Sequence, residues 1–330
     1  FHKLLKEGYS VEFFLEGGRS RTGKLIRPRY GLLTHVISSV VEGHAHDLRV
    51  CPAAIGYEKI IESASFLKEL SGRDKDQENI TELLRASQVL RSRYGRVYLN
   101  FDDSFSVREF LLEHHVDLEK GFKNEDERKM VVKRLGYRVL TGINHAMMAT
   151  PSAVVATALL GNSRRGISRQ TLLRRVGAIL EYLMQRNTHF SSSFSTLLST
   201  NRVALEQSRI EEETSTASSI AMLDGRNNLS NTLGECVGAI VDQTTAMLTS
   251  AKLITRHKFS DDAVYQVPPH KRQSLDYYRN NLVHHFVRES ILAAALLGCR
   301  NTGDMWGDRV KRETIFLSQL LKYEFVYEQG

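Results

Sequence analysis

The stretch VEFFLEGGRSRTGKL, residues 11–25, decides how the beginning of this chain is interpreted. Its first five residues are rich in aromatic and β-branched side chains, which predicts a strand over Val11–Leu15. After Glu16 come two glycines, Gly17 and Gly18, and then three cations with no acidic residue among them, Arg19, Arg21 and Lys24. A strand that leads into a glycine-rich basic loop is a common place for a phosphate group, because backbone N–H groups can approach the anion closely.

The loop lacks two features of a nucleotide-binding P-loop. Gly18-x-x-x-x-Gly23-Lys24 has the P-loop spacing, but Leu25 stands where a serine or threonine would bind the metal ion. Pro28 follows closely and would break the helix whose N-terminus holds the phosphates in a P-loop. The sequence therefore argues against this class of nucleotide site.

The remaining groups predict a cradle for a single phosphate. The two glycines let backbone N–H groups face an anion, as in an anion-binding nest. Arg19 and Arg21 can each donate a pair of hydrogen bonds to phosphate oxygens, and Ser20 and Thr22 add hydroxyl donors. Residues 19–29 contain five cations and no acidic residue, which makes the whole segment electropositive.

Strand and helix patterns alternate over the first part of the chain. Helical spacing of apolar residues predicts a helix over residues 31–43, and residues 96–101 predict a strand. Residues 49–56, RVCPAAIG, predict a further strand, which Pro52 restricts to a sheet edge or a bulge. Strands that alternate with helices indicate the α/β class, here for a domain covering residues 1–120.

Helices dominate the rest of the chain, residues 121–330, which we interpret as a second, mostly helical domain. Thr150 and Ser168 are predicted N-caps, and Pro151 suits the first position of a helix. Residues 189–232 are rich in serine and threonine with weak periodicity, which predicts a flexible insertion.

The composition excludes some classes of site and leaves several partners open. The net charge of +7 fits an anionic lipid surface, nucleic acid or phosphorylated substrates. The three cysteines lie far apart without metal-ligand spacing, so we predict no disulfide framework and no metal site. We also predict no cofactor. Residues 139–163 lack charged side chains, but Asn144, His145 and Pro151 make them polar for a membrane span. Contact with a membrane surface stays open.

Three segments carry a resemblance to a known family: FFLEGGRSRTGK (residues 13–24), VCPAAIGYEK (50–59) and LDYYRNNLVHHF (275–286). The first closely resembles the third signature block of the glycerol-3-phosphate acyltransferases, particularly the bacterial-type enzymes, and the second resembles their fourth block. The last is similar to a segment of their helical C-terminal region. The resemblance implies the C-terminal part of a glycerolphosphate-acyltransferase α/β domain followed by a mostly helical domain.

The resemblance also implies an activity and a set of binding residues. The family transfers an acyl group from acyl-CoA or an acyl-carrier protein to the sn-1 hydroxyl of glycerol 3-phosphate. The product, lysophosphatidic acid, stands at the entry to phospholipid synthesis, which implies a membrane surface as a partner. The expected location is the intracellular face of a bacterial inner membrane or of an organelle membrane. The family's substrate-binding residues correspond here to Glu16, Gly17, Arg19, Ser20, Arg21 and Pro52.

The catalytic base is expected outside these residues. In the family, a histidine in a His-x-x-x-x-Asp block deprotonates the acceptor hydroxyl and the aspartate orients the imidazole, and this block precedes the third one. We therefore expect the base upstream of Phe1, and we expect a fragment that is inactive alone. His257 and Asp262 have the same spacing, but they lie far downstream and we interpret them as a coincidence.

Two alternatives remain open from the sequence. Dihydroxyacetone phosphate shares the phosphate and would suit a closely related acyltransferase, although EGGRS, residues 16–20, favours glycerol 3-phosphate. A basic nucleic-acid-binding protein could use residues 19–29 and the basic faces of the later helices. Neither a strand rich in stacking aromatics nor zinc-ligand spacing supports that second alternative, so we predict no nucleic-acid partner.

Overall fold

In the computed structural model, the described residues are 1–18, 20, 22–58, 96–161, 166–194, 219–259, 262–299, 306–322 and 324–325. For residues 219–233 and 235 only the helical backbone is described. The chain divides into two compact units, each assembled from separate segments. Unit 1 comprises Phe1–Ile55, Leu99–Met147 and Val283–Gly330, and unit 2 comprises Gly56–Tyr98 and Met148–Leu282.

Helices and short strands are interspersed along the described residues. In chain order they are α1 (His2–Lys6), α2 (Tyr30–Val41), β1 (Arg49–Val50), β2 (Ala53–Tyr57), β3 (Val97–Phe101), β4 (Phe105–Ser106), α3 (Val107–Glu113), α4 (Glu125–Ala146), β5 (Met148–Ala149), α5 (Pro151–Leu160), β6 (Ile167–Ser168), α6 (Arg169–Gln185), β7 (His189–Phe190), α7 (Ser219–Ser250), β8 (Thr255–Phe259), β9 (Asp262–Gln266), α8 (Arg272–Asn280), α9 (Val287–Gly298) and α10 (Trp306–Leu321). This mixture of helices and small sheets agrees with the α/β class. The predicted domains, residues 1–120 and 121–330, stay predictions.

Helix α4 forms the centre of unit 1. The side chain of Asn124 caps its first turn by accepting a hydrogen bond from the N–H of Glu127 at 2.8 Å, and three acidic residues lie near the positive end of the helix dipole. A Cβ atom added to Gly136 would lie 3.1 Å from Pro28 and from the ring of Tyr30. Glycine therefore allows α4 to approach residues 28–33 closely. Fully buried side chains of α2, α3 and α4 form the core here: Leu33, Ile37, Leu111, Leu135 and Leu140.

Pro52 lies between two strands that have different partners. β1 pairs antiparallel with β4, whereas β2 pairs with β3. Pro52 has no N–H to donate, but its carbonyl accepts a hydrogen bond from the N–H of Asp102 at 2.9 Å. The single strand predicted over residues 49–56 is thus two short strands, β1 and β2, with Pro52 between them.

The caps predicted for unit 2 are confirmed. Thr150 accepts a hydrogen bond from the N–H of Ala153 at 3.3 Å, with Pro151 at the start of α5, and Ser168 accepts one from Thr171 at the start of α6. Helices α5 and α8 pack against each other, and the strands run in the order β6-β9-β8.

A cluster around Glu58 joins three parts of unit 2. One carboxylate oxygen of Glu58 accepts hydrogen bonds from the hydroxyls of Tyr98, at 2.5 Å, and Ser193, while the other accepts the N–H of Arg96 at 3.2 Å. Burial by itself would raise the pKa of Glu58, but the hydrogen bonds from Ser193 and Tyr98 hold that pKa below its usual value. The cluster therefore favours the ionised carboxylate.

The segment predicted as a flexible insertion, residues 189–232, is described only in part. It begins with β7 and a short 3-10 turn at Ser192–Phe194, and α7 starts at Ser219. Residues 195–218 lie outside the described residues, so the prediction stays untested there. No helix in the described part of the chain combines the length and the apolar character that crossing a bilayer requires.

The prediction of a strand over Val11–Leu15 is wrong for the structure. Burial alternates there as it would in a strand, with Phe13 and Leu15 turned toward the core and Phe14 exposed. However, none of the described strands pairs with this segment. The alternating pattern reports which side of the chain faces the core, whereas a strand also needs a hydrogen-bonded neighbour.

Candidate functional site

The predicted phosphate loop is closed by its own backbone. The N–H of Arg29 donates to the carbonyl of Leu15 at 2.8 Å, and the N–H of Gly17 donates to the carbonyl of Phe14 at 3.0 Å. Gly17 has a φ of +67°, and a Cβ atom added there would lie 2.8 Å from the Arg29 Cγ atom. Glycine is therefore required at residue 17 for both its backbone angle and its closeness to Arg29.

Glu16 spans the loop from one side to the other. One oxygen of its carboxylate accepts a hydrogen bond from the N–H of Ile26 at 2.6 Å. Burial raises the pKa of the Glu16 carboxyl, and the hydrogen bond from Ile26 acts in the opposite direction. The side chain thus holds the two arms of the loop together, which the sequence did not indicate.

Ser20 and Lys24 also make contacts within unit 1. The Ser20 hydroxyl donates to the carbonyl of Lys24 at 2.5 Å. The Lys24 ammonium lies 3.1 Å from the Glu324 carboxylate and 4.7 Å from the centre of the Phe325 ring. Arg19 and Arg21 lie outside the described residues. The binding roles predicted for Glu16, Gly17, Arg19, Ser20, Arg21 and Pro52 therefore stay predictions.

Replacing Glu16 with alanine is expected to lower the free energy of unfolding by about 0.5–1.5 kcal/mol, the usual net worth of one hydrogen bond. It should also weaken the phosphate binding predicted for this loop, because the arms of the loop lose their cross-link. Glu16→Gln is the matched control, since its amide oxygen can still accept the Ile26 N–H. Urea denaturation and calorimetric titration measure both effects. Equal losses in the two variants would contradict this role.

A second feature lies around Pro52, where three parts of unit 1 meet at van der Waals distance. A Cβ atom added to Gly142 on α4 would lie 2.5 Å from Pro52 Cγ and 2.7 Å from Asp102 Oδ2. One turn further along, His145 Nδ1 is 4.0 Å from Asp102 Oδ2. Pro52 is buried, so its side chain packs against α4.

A cavity of about 790 Å³ opens beside this crossing. Pro52, Asp102, Gly142 and His145 all contribute to its wall. Lysine and arginine side chains of α4 and three aromatic rings line it further: Lys133, Arg134, Arg138, Phe105, Phe110 and Tyr137. Of the predicted site residues that the structure describes, only Pro52 lines the cavity. Glu16, Gly17 and Ser20 are not among the residues that line it, so the phosphate loop and the Pro52 cavity are described as two candidate sites of unit 1.

The sequence analysis missed the cationic side chains of the cavity. A signal was present, because Arg134 and Arg138 are four residues apart and Lys133, Tyr137, Thr141 and His145 follow at the same spacing. Side chains at this spacing share one face of a helix. Nothing in the local sequence shows that Pro52 and Asp102 meet that face.

The residues interpreted as a coincidence, His257 and Asp262, lie on the two strands of a hairpin. His257 of β8 stands opposite Val264, and Asp262 of β9 stands opposite Phe259. In the described residues, no hydrogen bond or ion pair joins the two side chains. This arrangement does not form a histidine oriented by an aspartate.

Comparison with known proteins assigns the family. A family model described as "Glycerol-3-phosphate acyltransferase C-terminal region" matches residues 66–196 and, in a second match, residues 193–330. The chain belongs to this family. The family to which the sequence analysis pointed is thereby confirmed. Of the three segments, residues 275–286 lie within the matched residues, whereas the phosphate loop and Pro52 precede them.

Several relatives of this chain are named glycerol-3-phosphate acyltransferase. The glycerol-3-phosphate acyltransferase of Pasteurella multocida (strain Pm70) is 28% identical over 298 residues, which cover 89% of this chain and 32% of the relative. That of Shewanella amazonensis is 28% identical over 300 residues, with the same coverage of 89% and 32%. That of Actinobacillus succinogenes is 34% identical over 188 residues, or 55% of this chain and 22% of the relative. The chain thus spans about a third of the length of the first two relatives.

Proposed function

We propose that this chain forms part of an acyltransferase that moves an acyl group from a thioester donor to the sn-1 hydroxyl of glycerol 3-phosphate. The observation that carries the proposal is the family match over residues 66–196 and 193–330. The relatives named as glycerol-3-phosphate acyltransferases, aligned over 89% of the chain, add support. Lysophosphatidic acid is the product of this reaction.

In this proposal, the loop over residues 16–29 binds the phosphate of the acceptor. Arg19 and Arg21 donate charge-assisted hydrogen bonds to the phosphate oxygens, and the backbone N–H of Gly18 completes the cradle. Glu16 positions the loop through its bond to Ile26. A histidine of a His-x-x-x-x-Asp block would supply the base, and we assign none of the described histidines to that role.

We further propose that the acyltransferase works at a membrane surface, on the intracellular face of a bacterial inner membrane or of an organelle membrane. The support is chemical, because the acyl chain and the lysophosphatidic acid product both partition into lipid. A net charge of +7 would add attraction to anionic headgroups.

Calorimetric titration of the 330-residue chain with glycerol 3-phosphate tests the acceptor assignment. We expect saturable binding, with glycerol as the control that lacks the phosphate. Acyl transfer is then measured in a chimera in which this chain replaces the matched 298 residues of the Pasteurella multocida relative. Tighter binding of dihydroxyacetone phosphate than of glycerol 3-phosphate would favour the related acyltransferase. Salt-sensitive RNA binding without glycerol 3-phosphate binding would overturn the proposal.

A further inference from the structure

Helix α4 contributes several cations to the wall of the Pro52 cavity. Binding of glycerol 3-phosphate alone would not require them. We propose that this cavity binds the phosphorylated nucleotide end of coenzyme A in an acyl-CoA donor, an inference that rests on the proposed function. The phosphates would contact Lys133, Arg134 and Arg138, and the aromatic rings of the wall would contact the adenine.

The three cations lie on two successive turns of α4, with Lys133 and Arg134 adjacent and Arg138 one turn further along. Lys133 and Arg134 are exposed and make no ion pair within the described part of the chain. The guanidinium of Arg138 lies 4.6 Å from the centre of the Phe105 ring. At a rise of about 1.5 Å per residue, the charges spread over roughly 7 Å along the axis, which suits a chain of linked phosphates.

The stability of α4 by itself does not explain why cations occur at Lys133, Arg134 and Arg138. Arg134 and Arg138 are four residues apart, and like charges at this spacing repel each other and destabilise a helix. The helix dipole favours cations only within the last turn, whereas these residues lie two or more turns before Ala146. A bound polyanion would remove the repulsion, so the arrangement is favourable in the presence of such a ligand.

The acidic side chains of the wall leave a positive balance. Asp102 and Asp103 also line the cavity, but Asp102 lies beside His145 at 4.0 Å. The three cations Lys133, Arg134 and Arg138 exceed these two carboxylates in number.

Size and lining favour a nucleotide over a small phosphate ester. A volume of about 790 Å³ lies in the range of pockets that enclose drug-sized ligands. Aromatic rings next to arginines are suited to stacking with a base and to pairing with phosphates. An acyl-carrier protein shares the phosphopantetheine arm with coenzyme A but lacks the nucleotide, so the two donors can be separated experimentally.

The test is titration of the 330-residue chain with adenosine 3′,5′-bisphosphate, which carries the base and two phosphates of coenzyme A. We expect binding, and we expect Lys133→Ala and Arg134→Ala each to weaken it by about 10- to 150-fold, the range for the loss of one charge-assisted hydrogen bond. Lys129→Ala is the matched control, because Lys129 is exposed on the same helix but does not line the cavity. Circular dichroism establishes that all variants keep their helices.

Several outcomes would overturn the inference. Absence of nucleotide binding, or equal losses at Lys129 and Arg134, would remove the cavity as the site. Equal affinity for inorganic diphosphate would show an anion pocket without nucleotide recognition. Binding of phosphopantetheine in place of the nucleotide would assign the carrier-protein donor. Glycerol 3-phosphate is titrated into the unmodified chain in parallel, so failure of the proposed acceptor site is detected separately.

Discussion

Replacing Gly142 with alanine is expected to lower the free energy of unfolding of unit 1 by about 1–3 kcal/mol, the usual cost of overpacking. The new methyl group would lie 2.5 Å from Pro52 Cγ and 2.7 Å from Asp102 Oδ2. The pyrrolidine ring is rigid and buried, so it cannot move aside without shifting the backbone between β1 and β2. Urea denaturation followed by circular dichroism measures the loss.

The matched control for this substitution is Gly177→Ala on α6. No atom lies within 4 Å of a Cβ atom added at Gly177, and the residue sits in the interior of a helix. Alanine is expected to stabilise the chain there by about 0.5–1 kcal/mol. Gly142→Ala should thus lower the free energy of unfolding, whereas Gly177→Ala should raise it. An unchanged or higher midpoint for Gly142→Ala would show that the crossing at Pro52 is looser than the structure indicates.

Replacing Arg19 with alanine is expected to weaken glycerol 3-phosphate binding by about 10- to 150-fold. This range corresponds to about 1.5–3 kcal/mol for a hydrogen bond that involves a charged group. In the acyl-transfer assay, the change should be a higher KM for glycerol 3-phosphate with the KM for the acyl donor unchanged. A higher KM for the acyl donor alone would reassign Arg19 to the other substrate.

Arg27→Ala is the control that distinguishes a specific contact between Arg19 and phosphate from the general positive charge of the segment. Arg27 belongs to the same basic segment and is exposed, but it is outside the set that the family resemblance implies. Its loss should reduce the local positive potential and weaken binding by only a few-fold. Equal losses for Arg19 and Arg27 would indicate that the segment attracts anions without a defined phosphate site.

Local signals predicted much of the fold. The apolar spacing of residues 31–43 predicted α2, and the caps at Thr150 and Ser168 predicted the starts of α5 and α6. These features depend on neighbouring residues only, which is why sequence periodicity and capping chemistry suffice. Strand pairing depends on distant segments. The prediction for Val11–Leu15 therefore failed, although its burial pattern was correct.

Short motifs in the sequence identified parts of the candidate site, but they did not show which distant residues meet there. The loop at Gly17 and the proline at residue 52 were identified from short segments. The crossing of Pro52, Asp102 and Gly142 joins residues up to 90 positions apart, and only the folded chain brings them together. The role of Glu16 was missed because its partner is the backbone N–H of Ile26, which any residue would provide.

The hydrogen bonds that close the loop between Leu15 and Arg29 have a consequence for recognition. Since they are formed within the chain itself, they order residues 14–17 and the backbone at residues 26 and 29 without a ligand, so the binding proposed for the loop would not bear the entropic cost of ordering these residues. In the proposed function, a loop ordered in this way would discriminate between ligands by their shape and charge. It favours a compact, rigid anion, and differences in affinity between ligands should reflect their own geometry.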